Sequence, residues 1–209
     1  MLSLPVVEIF ASRQGEGAQT GRPAVFVRLG GCNLACPWCD TDFRHAERVA
    51  IDALLQRVDA CSEGIRSVIV TGGEPTIHPE LPALLEALKG QGYWIGIETN
   101  GVNAPQDEVR RFLDYLAVSP KALYEPLYDE ERMVTEADEV RIVVDGEIDA
   151  FCAAMRERIH ARHYFLSPCE REGKMNWEET VETLGRINRN HRHHPWLLSV
   201  QSHKLAGFR

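Results

Sequence analysis

The sequence predicts an α/β fold, an incomplete and open (β/α) barrel, in a single domain over residues 1–209. Three observations lead there. β-rich runs alternate with stripes of helical period along the whole chain, the pattern of βαβ units around a parallel sheet. A complete eightfold barrel usually takes about 250 residues, and 209 fall short of that. No repeat, low-complexity tract or linker marks a second domain.

The elements follow in order. Strands are expected at Val6–Phe10, Ala24–Leu29, Ser67–Thr71, Trp94–Glu98, Tyr115–Val118, Glu139–Val144, Tyr164–Leu166 and Trp196–Val200. Apolar runs such as Val68-Ile69-Val70 suit a sheet buried on both faces. Between strands, four stripes recur at helical spacing: Ile51, Leu54, Leu55, Val58 and Cys61; Leu81, Leu84, Leu85 and Leu88; Ile148, Phe151, Cys152, Met155 and Ile159; and Trp177, Val181, Leu184 and Ile187.

Charge and composition exclude several function classes. Lys and Arg number 23 against 31 Asp and Glu, a net charge of −8, which argues against a nucleic-acid backbone as the main partner. No apolar run reaches the length of a membrane span. Met1-Leu2-Ser3-Leu4-Pro5 has no basic region leading an apolar stretch, so no secretory signal is expected. Six cysteines without an export signal read as reduced thiols, and the expected compartment is the cytoplasm.

Cys32, Cys36 and Cys39 stand in one loop, spaced C-x-x-x-C-x-x-C. Thiols this close can converge on one metal centre, and thiolate suits soft centres. Iron–sulfur clusters usually take four cysteines, so three would leave one iron open to a non-protein ligand. A structural zinc loop with His45 as fourth ligand fits the same spacing. Cys61 and Cys152 fall on helical stripes and read as core residues. Cys169, after Ser167-Pro168, reads as a packed thiol rather than a ligand.

Motif placement is informative. The loop from Cys32 to Cys39 follows the strand ending at Leu29, Gly72–Pro75 follows Ser67–Thr71, and Glu98–Gly101 ends its own strand. Ser119–Lys121 follows Tyr115–Val118. All lie at strand C-terminal ends, the rim where parallel α/β sheets and barrels place their sites.

The cysteine spacing resembles the signature of the radical S-adenosylmethionine enzymes, and Thr71-Gly72-Gly73-Glu74-Pro75 is similar to their Gly-Gly-Glu-Pro stretch. Other blocks resemble one family of that superfamily, the 7-carboxy-7-deazaguanine synthases. These are Ile9-Phe10-Ala11-Ser12-Arg13-Gln14-Gly15-Glu16-Gly17, Thr20 to Leu29, Cys39-Asp40-Thr41, Ile97-Glu98-Thr99-Asn100-Gly101, Val118-Ser119-Pro120-Lys121 and Gln201-Ser202-His203-Lys204. They span nearly the whole chain, and the opening and terminal blocks are the specific ones.

The resemblance implies an open barrel of the radical S-adenosylmethionine type and a lyase that converts 6-carboxy-5,6,7,8-tetrahydropterin to 7-carboxy-7-deazaguanine with loss of ammonia, on the route to queuosine. It implies a 4Fe–4S cluster on Cys32, Cys36 and Cys39, Mg²⁺ at Thr41, and S-adenosylmethionine against Trp38, Cys39, Asp40, Gly73, Glu98, Ser119, Pro120 and Lys121. The pterin would meet Arg13, Gln14, Gly15, Arg28, Thr71, His203 and Arg209. A flavodoxin- or ferredoxin-type electron donor and a homodimer are also implied. No residue stands out as a general acid or base. The rivals are a glycyl-radical activase and a non-catalytic zinc-loop interaction module.

Several residues carry their own chemistry. Arg28 is a cation at the end of an apolar strand, and an interior guanidinium there needs an anion; by resemblance this is the substrate carboxylate. Gly30-Gly31 permits a turn strained for other residues. Trp38 can shield one side of a cluster, and Gly72-Gly73 can bring backbone close to the methionine end of the cofactor. Glu98 is either a site carboxylate or a surface acid at a strand end. His191-Arg192-His193-His194 reads as a solvated turn.

Overall fold

The computed structural model describes residues 2–43, 45–191 and 193–208. From the N-terminus come β1 (Ser3–Arg13), β2 (Pro23–Leu29), β3 (Glu47–Ala50), α1 (Ile51–Ser62), β4 (Ser67–Gly72), α2 (Leu81–Gly90), β5 (Trp94–Thr99), α3 (Asp107–Arg110) and β6 (Tyr115–Val118). Then follow β7 (Glu136–Val144), α4 (Asp149–Arg158), β8 (His160–Pro168), β9 (Glu170–Arg171), β10 (Lys174–Met175), α5 (Trp177–Ile187), β11 (Trp196–Leu198) and α6 (Ser202–Ala206).

Nine strands form one sheet in the order β11-β8-β7-β6-β5-β4-β2-β1-β3. From β2 to β11 every neighbouring pair is parallel. The sheet ends on β3 and β11 without closing, which is the open barrel the sequence predicts. The parallel pattern fails only at the β3 edge, where β1 runs antiparallel to both β2 and β3. The β1–β2 connection is too short for a crossover, which needs a dozen or more residues. Gln14 and Arg22 close it, with Gln14 N donating to Arg22 O at 2.8 Å.

Strand alternation builds two unlike faces. Val25, Val27, Leu29, Val68, Val70, Ile95, Ile97, Val140 and Ile142 point to the helices and share one core with Leu54, Val58, Leu84, Leu88, Phe151, Cys152 and Met155. Burying each large apolar side chain contributes about 1.5–3 kcal/mol. The opposite face carries a smaller apolar floor of Ala24, Phe26 and Ile69, packed by Phe10 and Trp94. The Phe10 and Phe26 rings stack with centroids 5.3 Å apart. One step further along each strand this face becomes polar, at Arg28, Thr71, Glu98 and Arg141. The concave floor is thus greasy and its upper rim charged.

Several details differ from the sequence expectation, among them β7, which starts at Glu136 rather than Glu139. β1 extends past Val6–Phe10 and β8 past Tyr164–Leu166, because neighbouring ladders recruit weakly patterned residues: Ser3 pairs with Ala50, and His160 with Glu136. β11 stops at Leu198 rather than Val200, although Ser199 N still bonds Leu166 O at 2.8 Å. In α5, Val181 is 56% exposed while Thr180 and Thr183 are fully buried. Their hydroxyls donate back to Asn176 O and Glu179 O, which hides the polar atoms and leaves the methyls to pack. β3 and the β9–β10 hairpin, short and charged, had no sequence signal. Among the described residues no helix is long and apolar enough to cross a membrane.

Candidate active site

The cysteine loop leaves β2 through Gly30 and Gly31, and Gly31 takes φ +80°, a conformation that favours glycine. Gly31 N donates to Phe43 O at 3.2 Å, so the loop is pinched at its base. Asn100 Nδ2 donates to Asn33 Oδ1 at 2.7 Å, and Ala35 N donates to the Tyr124 hydroxyl at 3.1 Å. These ties hold the loop over the ends of β5 and β6. Cys32 and Cys36 are half-buried and Cys39 is exposed. Burial raises the pKa of Cys32 and Cys36; the nearby Lys121 ammonium works in the opposite direction.

The Gly-Gly-Glu-Pro turn packs beneath that loop. Gly73 N donates to Leu29 O at 3.0 Å, and Glu74 N to Gly31 O at 2.9 Å. Glu74 is fully buried. Its carboxylate accepts from Thr76 N and Oγ1, from Thr99 Oγ1 at 2.7 Å and from Asn100 N at 2.7 Å. One carboxylate therefore ties β4 to the Thr99-Asn100-Gly101 turn that also holds the cysteine loop.

At β6, Lys121 Nζ donates to Ser119 Oγ at 2.6 Å. Removal from water lowers the Lys121 pKa, opposed by the field of Cys36 and Glu16. Pro120, between them, is buried and lines neither cleft of the site.

The two ends of the chain meet across the rim. Ser202 N and Oγ both donate to Gly15 O at 3.0 Å, and Gln201 Nε2 donates to Glu16 Oε1 at 2.7 Å. A Cβ on Gly15 would fall 1.9 Å from His203 Nδ1, so that glycine makes room for the histidine ring. Lys204 Nζ lies 2.6 Å from Asp40 Oδ2 and lowers the Asp40 pKa against the opposing effect of burial.

At the centre sits a cation, Arg141, that no sequence motif marks as part of the site. Arg141, 6% exposed, gives Nη1 to Glu16 at 3.0 Å, Nη2 to Glu98 at 2.6 Å, and Nε toward Glu139 Oε1 at 3.0 Å. Glu98 also accepts from Gln14 Nε2 at 2.8 Å and Thr71 Oγ1 at 2.9 Å. Burial alone would raise the Glu98 pKa, but the Arg141 charge and these donors outweigh it and bring it to about 2. Glu98 is therefore an ion-paired carboxylate that lines the clefts, ionised at neutral pH, and not a lone surface acid.

Two clefts open from this centre. The larger, about 540 Å³, is lined by Arg13, Gln14, Gly15, Arg28 and His203 among others. The smaller, about 240 Å³, is lined by the three loop cysteines, Trp38, Gly73, Ser119 and Lys121. Glu16, Asp40, Thr41, Thr71, Glu98 and Arg141 belong to both and form the shared wall. Arg209 lies outside the described residues.

Four expectations change. Arg28 already has an anion, since its Nε bonds Glu8 Oε1 at 2.8 Å while Nη1 reaches Thr41 Oγ1 at 3.4 Å. Gly72 and Gly73 are required first by the protein's own backbone: a Cβ would fall 2.2 Å from Leu29 O or 1.9 Å from Gly31 O respectively. His45 faces a separate groove with Glu47 and Arg57, away from the thiols. Among the described residues no three His, Cys, Asp or Glu side chains gather tightly enough to hold one ion. The single-zinc set is therefore not assembled, whereas a cluster spreads its thiolates over separate irons. Cys169, read as merely packed, is buried yet lines the cysteine cleft beside Pro168 and Glu170.

Comparison with known proteins gives a consistent result. The family model described as the radical SAM superfamily matches residues 26–194. A 7-carboxy-7-deazaguanine synthase of Haemophilus influenzae is 48% identical over 97% of this chain and 92% of the relative. One from Neisseria meningitidis serogroup B is 50% identical with the same coverage. The crystal structure of QueE from Escherichia coli superposes with TM-score 0.70 at 27% identity, covering 96% of this chain and 95% of that one.

Proposed function

The chain belongs to the radical S-adenosylmethionine superfamily and, within it, to the 7-carboxy-7-deazaguanine synthases, and we propose that its two clefts hold the cofactor and the pterin on either side of one charged wall. It is an enzyme of queuosine biosynthesis that uses a 4Fe–4S cluster, S-adenosylmethionine and Mg²⁺ to convert 6-carboxy-5,6,7,8-tetrahydropterin to 7-carboxy-7-deazaguanine with loss of ammonia. One observation supports the site assignment above others: the clefts share Thr41, Thr71, Glu98 and Arg141, so molecules filling both would meet there.

The donor set suits the group it would hold. Cys32, Cys36 and Cys39 are three soft ligands on one rim, opening toward a cleft whose walls mix polar and apolar side chains. These three cysteines would hold a 4Fe–4S cluster, and the chemistry supplied there would be one-electron reductive cleavage of S-adenosylmethionine to methionine and a radical able to take hydrogen from the substrate. Trp38, Gly73, Ser119 and Lys121 line the cofactor's cleft, with Asp40 and Glu98 at its inner wall. Gln14, Thr71 and Glu98 offer amide, hydroxyl and carboxylate groups to the aminopyrimidinone edge of the pterin. Arg13, Gly15 and His203 close that cleft from the two chain ends. The wall residues would orient both molecules, and none of them stands out as a general acid or base.

Arg28 holds the substrate carboxylate with its Nη edge while Glu8 fixes its Nε. Arg28→Ala should bind S-adenosylmethionine normally yet lower kcat/KM for the pterin by on the order of 100-fold. Lysine should rescue it only in part, having charge without the planar fork. Equal turnover by the variant would place the carboxylate elsewhere.

Thr41 Oγ1 is an oxygen donor at the wall, 3.5 Å from Asp40 Oδ1, and suits a hard cation that keeps most of its waters and substrate oxygens. Thr41→Ala should raise the Mg²⁺ concentration for half-maximal rate at least ~10-fold, the cost typical of losing even an outer-shell partner. The cluster spectrum should not change. An unaltered Mg²⁺ titration would remove Thr41 from the metal site.

The reductant in the cell is a flavodoxin- or ferredoxin-type donor, consistent with Cys39 lying exposed at the outer rim. The working unit is a homodimer, a reading supported by the exposed Leu197 and Leu198 on the edge strand β11. The compartment is the cytoplasm, where thiolates stay reduced. Anaerobic incubation of the iron-loaded protein with substrate, cofactor and dithionite should yield 7-carboxy-7-deazaguanine by mass spectrometry. Unchanged pterin would overturn the substrate assignment.

A further inference from the structure

We propose that Arg141 is a positioning residue that locks the N-terminal substrate loop, the end of β5 and the C-terminal helix into one geometry, acting through Glu16 and Glu98. This rests on the two-cleft arrangement proposed above. Arg141 sits midway along β7 on the concave face, between Glu139 and Val143. Its two Nη groups donate to carboxylates on separate segments, Glu16 in the loop after β1 and Glu98 on β5, while Glu139 on its own strand lies 3.0 Å from Nε as an ion-pair neighbour without a hydrogen bond. Its charge is already matched by three carboxylates and both Nη groups are bonded to protein, so the guanidinium is poorly placed to act as a ligand-binding cation even though it lines both clefts.

Each carboxylate passes the constraint on. Glu16 accepts Gln201 Nε2 with its other oxygen, which brings in the segment leading to α6. Glu98 accepts Gln14 and Thr71, both facing the larger cleft. Glu139 accepts Tyr115 OH at 2.8 Å and Ala18 N at 2.7 Å, fixing the turn that follows Glu16. A Cβ on Gly17 would fall 2.3 Å from Glu139 Oε1, so the loop can approach only because residue 17 is glycine. Burial disfavours the Arg141 charge, but Glu98, Glu139 and Glu16 together more than restore it.

A merely structural ion cluster would affect stability alone. A positioning role predicts more: the distance between cofactor and substrate should loosen when the fork is removed, while each cleft still forms. Arg141→Lys keeps the charge but cannot reach three carboxylates in one plane. With full iron loading and unchanged S-adenosylmethionine affinity, it should show kcat/KM for the carboxypterin lowered by on the order of 10-fold. The ratio of 5′-deoxyadenosine released to product formed should rise, because cofactor cleavage no longer coincides with a well-placed substrate. Glu16→Gln should show the same signature more weakly, and the double variant should cost less than the sum, since the two act through one contact. Arg141→Met should be worse than lysine; if it fails to fold, the lysine and glutamine arms still decide. A folded, iron-loaded Arg141→Lys with wild-type kcat/KM and release ratio would overturn the proposal, as would strictly additive effects with Glu16→Gln. Wild-type protein that makes no 7-carboxy-7-deazaguanine would instead overturn the substrate assignment, so the two failures are distinguishable.

Discussion

Alanine at Cys32, Cys36 or Cys39 should strip iron from the anaerobically reconstituted protein and reduce both cofactor cleavage and product formation below detection. In the proposed site each thiolate would bind the cluster, and the loop offers no neighbouring soft donor to replace a lost one. Cys169 lines the same cleft but is 3% exposed and has its backbone N fixed to Asn176 Oδ1 at 2.6 Å, just past the end of β8. Cys169→Ala should therefore keep its iron. Cys152, 1% exposed among core residues of α4, should cost only roughly 1–2 kcal/mol of stability when truncated. Iron content and visible absorbance of the five variants give the test. Full activity in Cys36→Ala would end the radical assignment, and iron loss in Cys152→Ala would mean the ligands had been misassigned.

Local patterns in the sequence located most of the site. The cysteine spacing, the glycine pair, and the ends of β5 and β6 all stand at strand C-termini, and the structure brings them to one rim. The cation at the centre was less visible. Arg28 drew attention because it ends an apolar run, yet Glu8, on the neighbouring antiparallel strand, neutralises it. Arg141 sits inside a run of the same character, Glu139-Val140-Arg141-Ile142, where two charges alternate with apolar residues. In a strand that period puts both charges on one face, a signal the sequence did contain. Its partners Glu16 and Glu98 lie 125 and 43 positions away, and no single-sequence pattern links them. The antiparallel β1 was likewise set by the short Gln14–Arg22 connection and not by strand composition. The face of α5 was misread because buried threonines look polar until their hydroxyls are seen bonded to the helix backbone.

The glycine pair gives the second large effect, for a reason that packing alone supplies. Gly73→Ala should abolish activity and impair cluster loading while leaving most of the sheet intact. The new Cβ would lie 1.9 Å from Gly31 O and 3.0 Å from Cys32 Cβ. Neither neighbour is the far end of a flexible side chain. Gly31 is held by its N–H to Phe43 O and by its carbonyl to Glu74 N, and Gly73 N is itself held by Leu29 O. To admit the methyl, the turn must leave β2 or the cysteine loop must move off its base, and overpacking of this kind typically costs about 1–3 kcal/mol. Displacement of Cys32 would carry the loss into the metal site, so iron content should fall further than thermal stability alone would suggest. Gly90→Ala is the matching control, because nothing lies within 4 Å of its added methyl at the end of α2. That variant should be neutral or stabilised by up to ~1 kcal/mol, as expected for alanine replacing glycine in a helix. If Gly73→Ala instead loads iron and turns over like wild type, the glycine is not there to let the cysteine loop pack.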